Sequence, residues 1–361
     1  MAGLQVNQHF LLPAVAPLLY NIGQIFGALI LAPEQGYQIG GFRLPTFGMG
    51  IHGLVYGVIL GAILHLLIQV PGLIKFKFKW SPALDFKDES FLRVMGLMGP
   101  RLISMVFIQL IFLANDNLAS RLPTGSVTAL TYGWWIQQVP ETLIGTAIAT
   151  ALLPTLSEHV AREDQKAFKE TIERSLRVMI ALSLPITVIL SITSLPWIQS
   201  VFDFSLGDAQ MILRTTQGYL VGLLGHSVVE LGVRSFYAKK NAKVPTLVSV
   251  SGFFIFLFAA IFLIPQLQVG GIALANSISY SIQAGVLIYL LNRTLSENFV
   301  LAKTILRGVL SAVLAGAAAW IVFSLLPIPA SSLVLSAGGM LFGVMIGILP
   351  ILPEIRILFS L

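Results

Sequence analysis

The sequence predicts an all-α, polytopic helical membrane protein with about ten transmembrane helices, and three observations carry that prediction. Of 361 residues, 56% are hydrophobic and only 11% are charged, against roughly a quarter charged in a soluble domain. The apolar residues fall in runs of about 20, the length that spans a bilayer as a helix. With residue 1 placed on the cytoplasmic side, 18 of the 22 lysines and arginines collect on that side, which is the positive-inside asymmetry.

The first two spans, 9–32 and 47–70, are apolar; the first carries Pro13 and Pro17, and the second is rich in glycine and holds His52 and His65. These lone histidines are expected to be satisfied by helix–helix hydrogen bonds, because a metal site needs more ligands than the sequence offers nearby. The third span, 94–119, contains Pro100 and Arg101 and ends on Asn115-Asp116-Asn117. Arg101 can snorkel to the headgroups or face an anionic ligand. Asp116, with Asn115, either accepts a cation or caps the helix end near water.

The fourth span, 127–153, contains TALTYGWWIQQVPETLIG. Two adjacent tryptophans, Gln137, Gln138, Pro140 and Glu141 sit where a lipid-facing helix would carry only carbon. An ionisable residue at that depth needs a partner or a cavity. A charged stretch, SEHVAREDQKAFKETIERSLR over 157–177, then predicts a short surface helix on the cytoplasmic face. The fifth span, 176–195, is interrupted by Pro185.

In the sixth span, 210–236, His226, Glu230 and Arg234 recur every fourth residue and share one face. They form either a structural ion pair or a polar stripe along a water-filled cavity. The seventh, 245–265, is apolar through GFFIFLFAAIFLIP, and spans 269–291, 304–326 and 332–352 complete the set. Internal prolines free backbone carbonyls, which transporters tolerate where neighbouring helices or a cavity satisfy them.

Composition also excludes function classes. With no cysteine there is no disulfide and no thiolate chemistry. No phosphate-binding glycine loop, Ser-His-Asp arrangement or aqueous domain is present, so neither an enzyme nor a cofactor is expected. The excess of positive charge lies between hydrophobic spans and does not point to nucleic acid. Kinked spans with polar residues at depth suit a transporter.

Four segments, FLLPAVAPLLYNIGQIFGALIL, GLVYGVILGAILHLLIQVPGL, GSVTALTYGWWIQQVPETLIGTAIATALLPTLSEH and RSFYAKKNAKVPTLVSV, together resemble the MurJ/MviN family of lipid II flippases in the MOP exporter superfamily. The resemblance runs in order from about residue 8 to the C-terminus. It implies a MOP-type bundle whose two lobes rock about a central cationic cavity. Residues 1–153 would be the remainder of the N-terminal lobe, 154–175 a cytoplasmic linker and 176–361 the C-terminal lobe. Family members typically have fourteen spans, so the first four would come from a missing N-terminal segment.

The family pattern in the eighth family span resembles Tyr-Ala-x-Arg-Leu-x-x-x-Pro, with its arginine directed at the headgroup. Here Trp135 stands in the arginine's place, between Tyr132 and Pro140. An indole lacks the guanidinium's charge and bidentate grip, but it can stack on a sugar or donate one hydrogen bond. Trp135, Gln137, Gln138, Glu141, Glu230, Arg234 and Arg101 are thus the candidate cavity residues; alternatively, both tryptophans pack between helices or face lipid. Some family members bind sodium between the seventh and eleventh family spans. Asp116 matches one carboxylate of that site, while the apolar 252–265 lacks its partners.

The resemblance implies a flippase moving the lipid-linked precursor lipid II across the bacterial cytoplasmic membrane, with membrane lipids around it and both termini cytoplasmic. Two other readings stay open. One is an exporter of another lipid-linked glycan or amphipathic solute; the other is a non-transporting subunit that needs a partner lobe.

Overall fold

A computed structural model of the chain describes residues 4, 7, 9, 11–76, 88–295, 297–325 and 333–358. It divides into two compact units, Met1–Phe86 and Lys87–Leu361. In the first, helix α1 (Leu11–Phe26) runs into a π-helical turn over Gly27–Leu31. A two-stranded antiparallel hairpin follows, β1 (Gln38–Ile39) with β2 (Phe42–Arg43), then α2 (Ile51–Leu67) and the short α3 (Val70–Lys75).

Helices α1 and α2 meet through glycines. The buried residues of α2 are Gly53, Gly57 and Gly61, one per turn, and they face Gly23 of α1 and Gly27 of the π-helical turn. A Cβ on Gly23 would come closer than 3.0 Å to the backbone of Gly61, and one on Gly57 closer than 3.0 Å to the backbone of Gly27. In lipid the apolar side chains gain little by facing each other, so close backbone packing is what joins such helices. Other α2 side chains, among them Leu54, Val55 and Ile59, point outward and are exposed. His52 is also exposed, rather than shielded between helices as expected.

The second unit is built from α4 (Glu89–Ala119), α5 (Ser126–Glu141), a π-helical turn (Thr142–Thr146) and α6 (Ala147–Ala161). It continues with α7 (Gln165–Phe202), α8 (Leu206–Leu220), α9 (Leu223–Ala238), α10 (Lys243–Leu267), α11 (Val269–Arg293), α12 (Ala302–Leu325) and α13 (Leu333–Leu358). Helix α7, 38 residues long, packs against α8, α9, α12 and α13. At the far end of the pair α12–α13, Arg307 binds the buried Glu354 at 3.0 Å.

Among the described residues, nine continuous helical segments are long and apolar enough to cross a membrane. The tenth expected span, 210–236, is instead broken into α8 and α9 at Val221-Gly222. The carbonyls there receive donors from other helices, that of Tyr219 in addition to the Gly222 N–H at 3.0 Å. Ser277 donates to the carbonyls of Gly218 at 2.6 Å and Tyr219 at 3.1 Å, and Thr187 donates to that of Leu220 at 3.1 Å. Hydropathy is continuous across the break and does not reveal it.

One further expectation is corrected. The charged stretch 157–177 forms no separate surface helix: it is the last turn of α6, a tight turn at residues 162–164 and the first turns of α7. Helices α4 to α6 pack against α8 to α11, and these contacts carry no signature in composition.

The loop after α11 is strapped to α7. Lys169 donates to Glu297 at 2.9 Å, and Asn292 donates to Asn298 at 2.7 Å. The hydrogen bond from Lys169, and then its charge, hold the Glu297 carboxyl below the usual glutamate value.

Two outcomes follow from this packing. Gly57→Leu inserts side-chain volume into a backbone contact and should destabilise the first unit by about 1–3 kcal/mol, lowering the melting temperature in detergent, whereas Val55→Leu on the outer face should leave it unchanged. Because the Glu297 pKa is depressed, the strap is present above the ordinary glutamate value and is lost as pH falls through the depressed one. The protection factor of the amides at residues 297–300, corrected for the intrinsic pH dependence of exchange, should therefore fall as pH drops below the ordinary glutamate value, and the Glu297→Gln variant should not show that fall.

Candidate functional site

The polar residues of the fourth span divide between two faces of α5. Gly133, Gln137, Pro140 and Glu141 are buried. Trp134 and Gln138, one turn apart, border a cavity of about 250 Å³ between α4, α5, α9, α10 and α11. The same cavity is bordered by His226 and Glu230 from α9 and by Tyr280 and Gln283 from α11.

The adjacent tryptophans take different environments. Trp134 packs between helices, edge-on to Phe112 at 5.6 Å and to Tyr219 at 5.4 Å. Its other neighbour, His226 at 5.6 Å, stacks in turn on Tyr280 at 4.2 Å. The plainer expectation of helix packing thus describes Trp134. Trp135 is 57% exposed, with one ring contact to Tyr132 at 5.3 Å. It borders a second cavity, about 290 Å³, together with Asn115, Asp116 and Thr131.

Glu141 is fully buried. Its carboxylate accepts from the Gln138 amide at 2.9 Å and from the Thr146 hydroxyl at 3.2 and 3.3 Å. Gly145 makes the room: a Cβ there would lie within 3.0 Å of both the Glu141 carboxylate and the Ser227 hydroxyl. The oxygens of the Gln137 and Gln138 amides and of the Ser227 hydroxyl are buried without a hydrogen-bond partner. Thr146, Gly145 and Ser227 escaped the sequence reading. Gly145, one turn after Glu141 in PETLIGT, was the available signal.

On α9, His226, Glu230 and Arg234 occupy one face as expected, and Arg234 pairs with Glu230 and also donates to its backbone carbonyl at 3.1 Å. Both charges act on Glu141. Among the described residues, those bordering the 250 Å³ cavity supply a carboxylate, hydrogen-bonding amides and ring faces.

Asn115 is buried and accepts from Asn276 of α11 at 3.0 Å, a partner the sequence reading missed, while Asp116 is exposed. Arg101 lies on α4, and its side chain is outside the described residues. The structure therefore gathers Gln138, Glu141, Glu230 and Arg234 together, and sets Trp135, Asn115 and Asp116 around a neighbouring cavity.

The family model described as lipid II flippase MurJ matches residues 1–349. The chain belongs to the MurJ family. A lipid II flippase MurJ of Burkholderia cenocepacia is 28% identical over 279 residues, covering 75% of this chain and 52% of that protein. A probable MurJ of Bdellovibrio bacteriovorus is 30% identical over 311 residues, covering 85% and 57%. The chain thus spans between half and three-fifths of the length of these MurJ relatives.

A solved MurJ structure in an inward closed conformation superposes with a TM-score of 0.70 at 21% identity, covering 97% of this chain and 67% of the other. A MATE transporter of Vibrio cholerae does so at 0.58 and 16%, covering 81% and 64%. At these identities the likeness is one of fold: a helical bundle shared with both solved transporters.

Removing one partner of a membrane-embedded ion pair leaves a charge unpaired, whereas removing both does not. Arg234→Ala should therefore cost about 1–3 kcal/mol, discounted for partial exposure. Adding Glu230→Ala to it should recover part of the loss in a thermal melt of the detergent-solubilised protein.

Proposed function

We propose that the chain serves a MurJ-type flippase that carries lipid II across the bacterial cytoplasmic membrane by alternating access, with both termini cytoplasmic. Membership of the family carries the reading, and the buried polar cavity within an otherwise apolar bundle supports it. A pyrophosphate-sugar headgroup cannot cross hydrocarbon unaided, because its desolvation is unfavourable without replacement hydrogen bonds. In this reading Gln138, Gln283 and Glu230 offer such bonds, Arg234 orients Glu230, and Trp135 offers an indole face to a sugar. The polyprenyl tail stays in the bilayer. Delivery of the precursor would place the chain in peptidoglycan synthesis, and hence in cell-wall biogenesis and cell shape.

The chain spans about half of its relatives, so we assign the remaining wall of the cavity, and the cationic grip on pyrophosphate, to the four-helix segment that the longer family members carry. Expressed in a bacterium depleted of its own lipid II flippase, the chain should restore growth when supplied with that segment from a relative. Failure with the segment present and both parts in the membrane would favour the non-transporting subunit.

A second reading rests on one observation, the indole of Trp135 in place of a guanidinium, which suits a less anionic lipid-linked glycan. Under the flippase reading, Trp135→Arg should tighten binding of fluorescent lipid II several-fold, in line with a charge-assisted bond to phosphate. No gain, alongside binding of a neutral glycolipid, would favour the second.

A further inference from the structure

We propose that Glu141, Gln138, Thr146 and Ser227 form a binding site for a small monovalent cation, sodium, in the middle of the second unit's first long irregular span. The segment Ser126–Ala161 is 36 residues long, and Glu141 lies near its centre. The π-helical turn over Thr142–Thr146 begins directly after it. Such turns disturb the regular backbone ladder and occur often at functional sites. Irregular helices near the bilayer midplane are also where transporters hold coupling ions.

The local chemistry has the character of a cation site. Glu141 is fully buried, and the groups that donate to it, the Gln138 amide and the Thr146 hydroxyl, are neutral. A carboxylate in hydrocarbon is unfavourable without a countercharge. The nearest charges, Glu230 and Arg234 on α9, oppose each other and are already paired. The titratable groups beside them are His226 on α9 and Tyr280 on α11.

Independent of the carboxylate, two oxygens beside it are buried and unpartnered: those of Gln138 and Ser227. Ser227 and the Glu141 carboxylate flank the same small space, since a Cβ on Gly145 would meet both within 3.0 Å. A proton on Glu141 would satisfy one of these oxygens. A hard cation takes several oxygen ligands at once, so it accounts for the whole group. Turning the Gln138 amide over would bring its unpartnered oxygen to the carboxylate, an arrangement that a cation between the two oxygens stabilises. The site is separate from Asp116, which is exposed on α4 and borders the other cavity.

The test needs no lipid substrate, so its outcome is independent of the flippase reading. The purified chain in detergent is melted in sodium, potassium or choline chloride at equal ionic strength, at two pH values. Sodium at well above its dissociation constant should raise the melting temperature by about 3 °C or more over choline. Glu141→Gln should abolish that shift, Ser227→Ala should move its sodium midpoint several-fold upward, and Asp116→Asn should leave it in place. The proposal is overturned if sodium gives no specific shift in the unsubstituted chain, if lowering the pH alone reproduces it, or if Asp116→Asn removes it while Glu141→Gln does not.

Discussion

Hydrocarbon offers no hydrogen-bond partner, so every polar group that enters the bundle must find its partner within the protein. The serines and threonines of the long helices obey this by donating back one turn: Thr193 to the Ile189 carbonyl, Thr216 to Ile212 and Ser235 to Leu231. Where the ladder itself fails, between α8 and α9, the donors come from neighbouring helices instead, from Ser277 and Thr187. Against this background of satisfied groups, the cluster around Glu141 is where partners run short. Buried polar groups without partners are uncommon in folded proteins; isolated ones occur on α7 and α13, while those of Gln137, Gln138, His226 and Ser227 fall on the two helices α5 and α9 that flank Glu141.

The two units solve the problem of helix association differently. In the first, α1 and α2 bring backbones together through glycine, with dispersion between closely packed chains as the adhesive. In the second, polar contacts add to packing: Asn115 with Asn276 ties α4 to α11, and Ser104 with Thr246 at 3.1 Å ties α4 to α10. Bonds of this kind have direction. They fix the rotation of each helix about its axis, and so fix which residues reach the central cavity.

Much of this was legible in the sequence, and the reasons differ by element. The apolar runs identified the spans because length and hydropathy are direct readouts of the bilayer. The face shared by His226, Glu230 and Arg234 followed from helical spacing alone. Trp134 and Trp135 could not be told apart, because their difference lies in helix rotation against α4 and α8, and apolar spans carry little periodicity to report it. Asn276 and Ser227 were missed for a related reason: a single small polar residue in a span is unremarkable until its partner on another helix is known. The break at Gly222 was hidden because hydropathy measures composition and not continuity.

That break has a consequence for how the chain is made. Ser277, which caps the Gly218 carbonyl, lies 59 residues further along. At a synthesis rate of roughly 5–20 residues per second, the ribosome needs about 3–12 s to cover that distance. Thr187 precedes the break and is available at once for the Leu220 carbonyl. Until α11 emerges, the Gly218 carbonyl lacks this donor, and lipid cannot supply one. The break is therefore closed from two directions at two times, first by α7 and only later by α11.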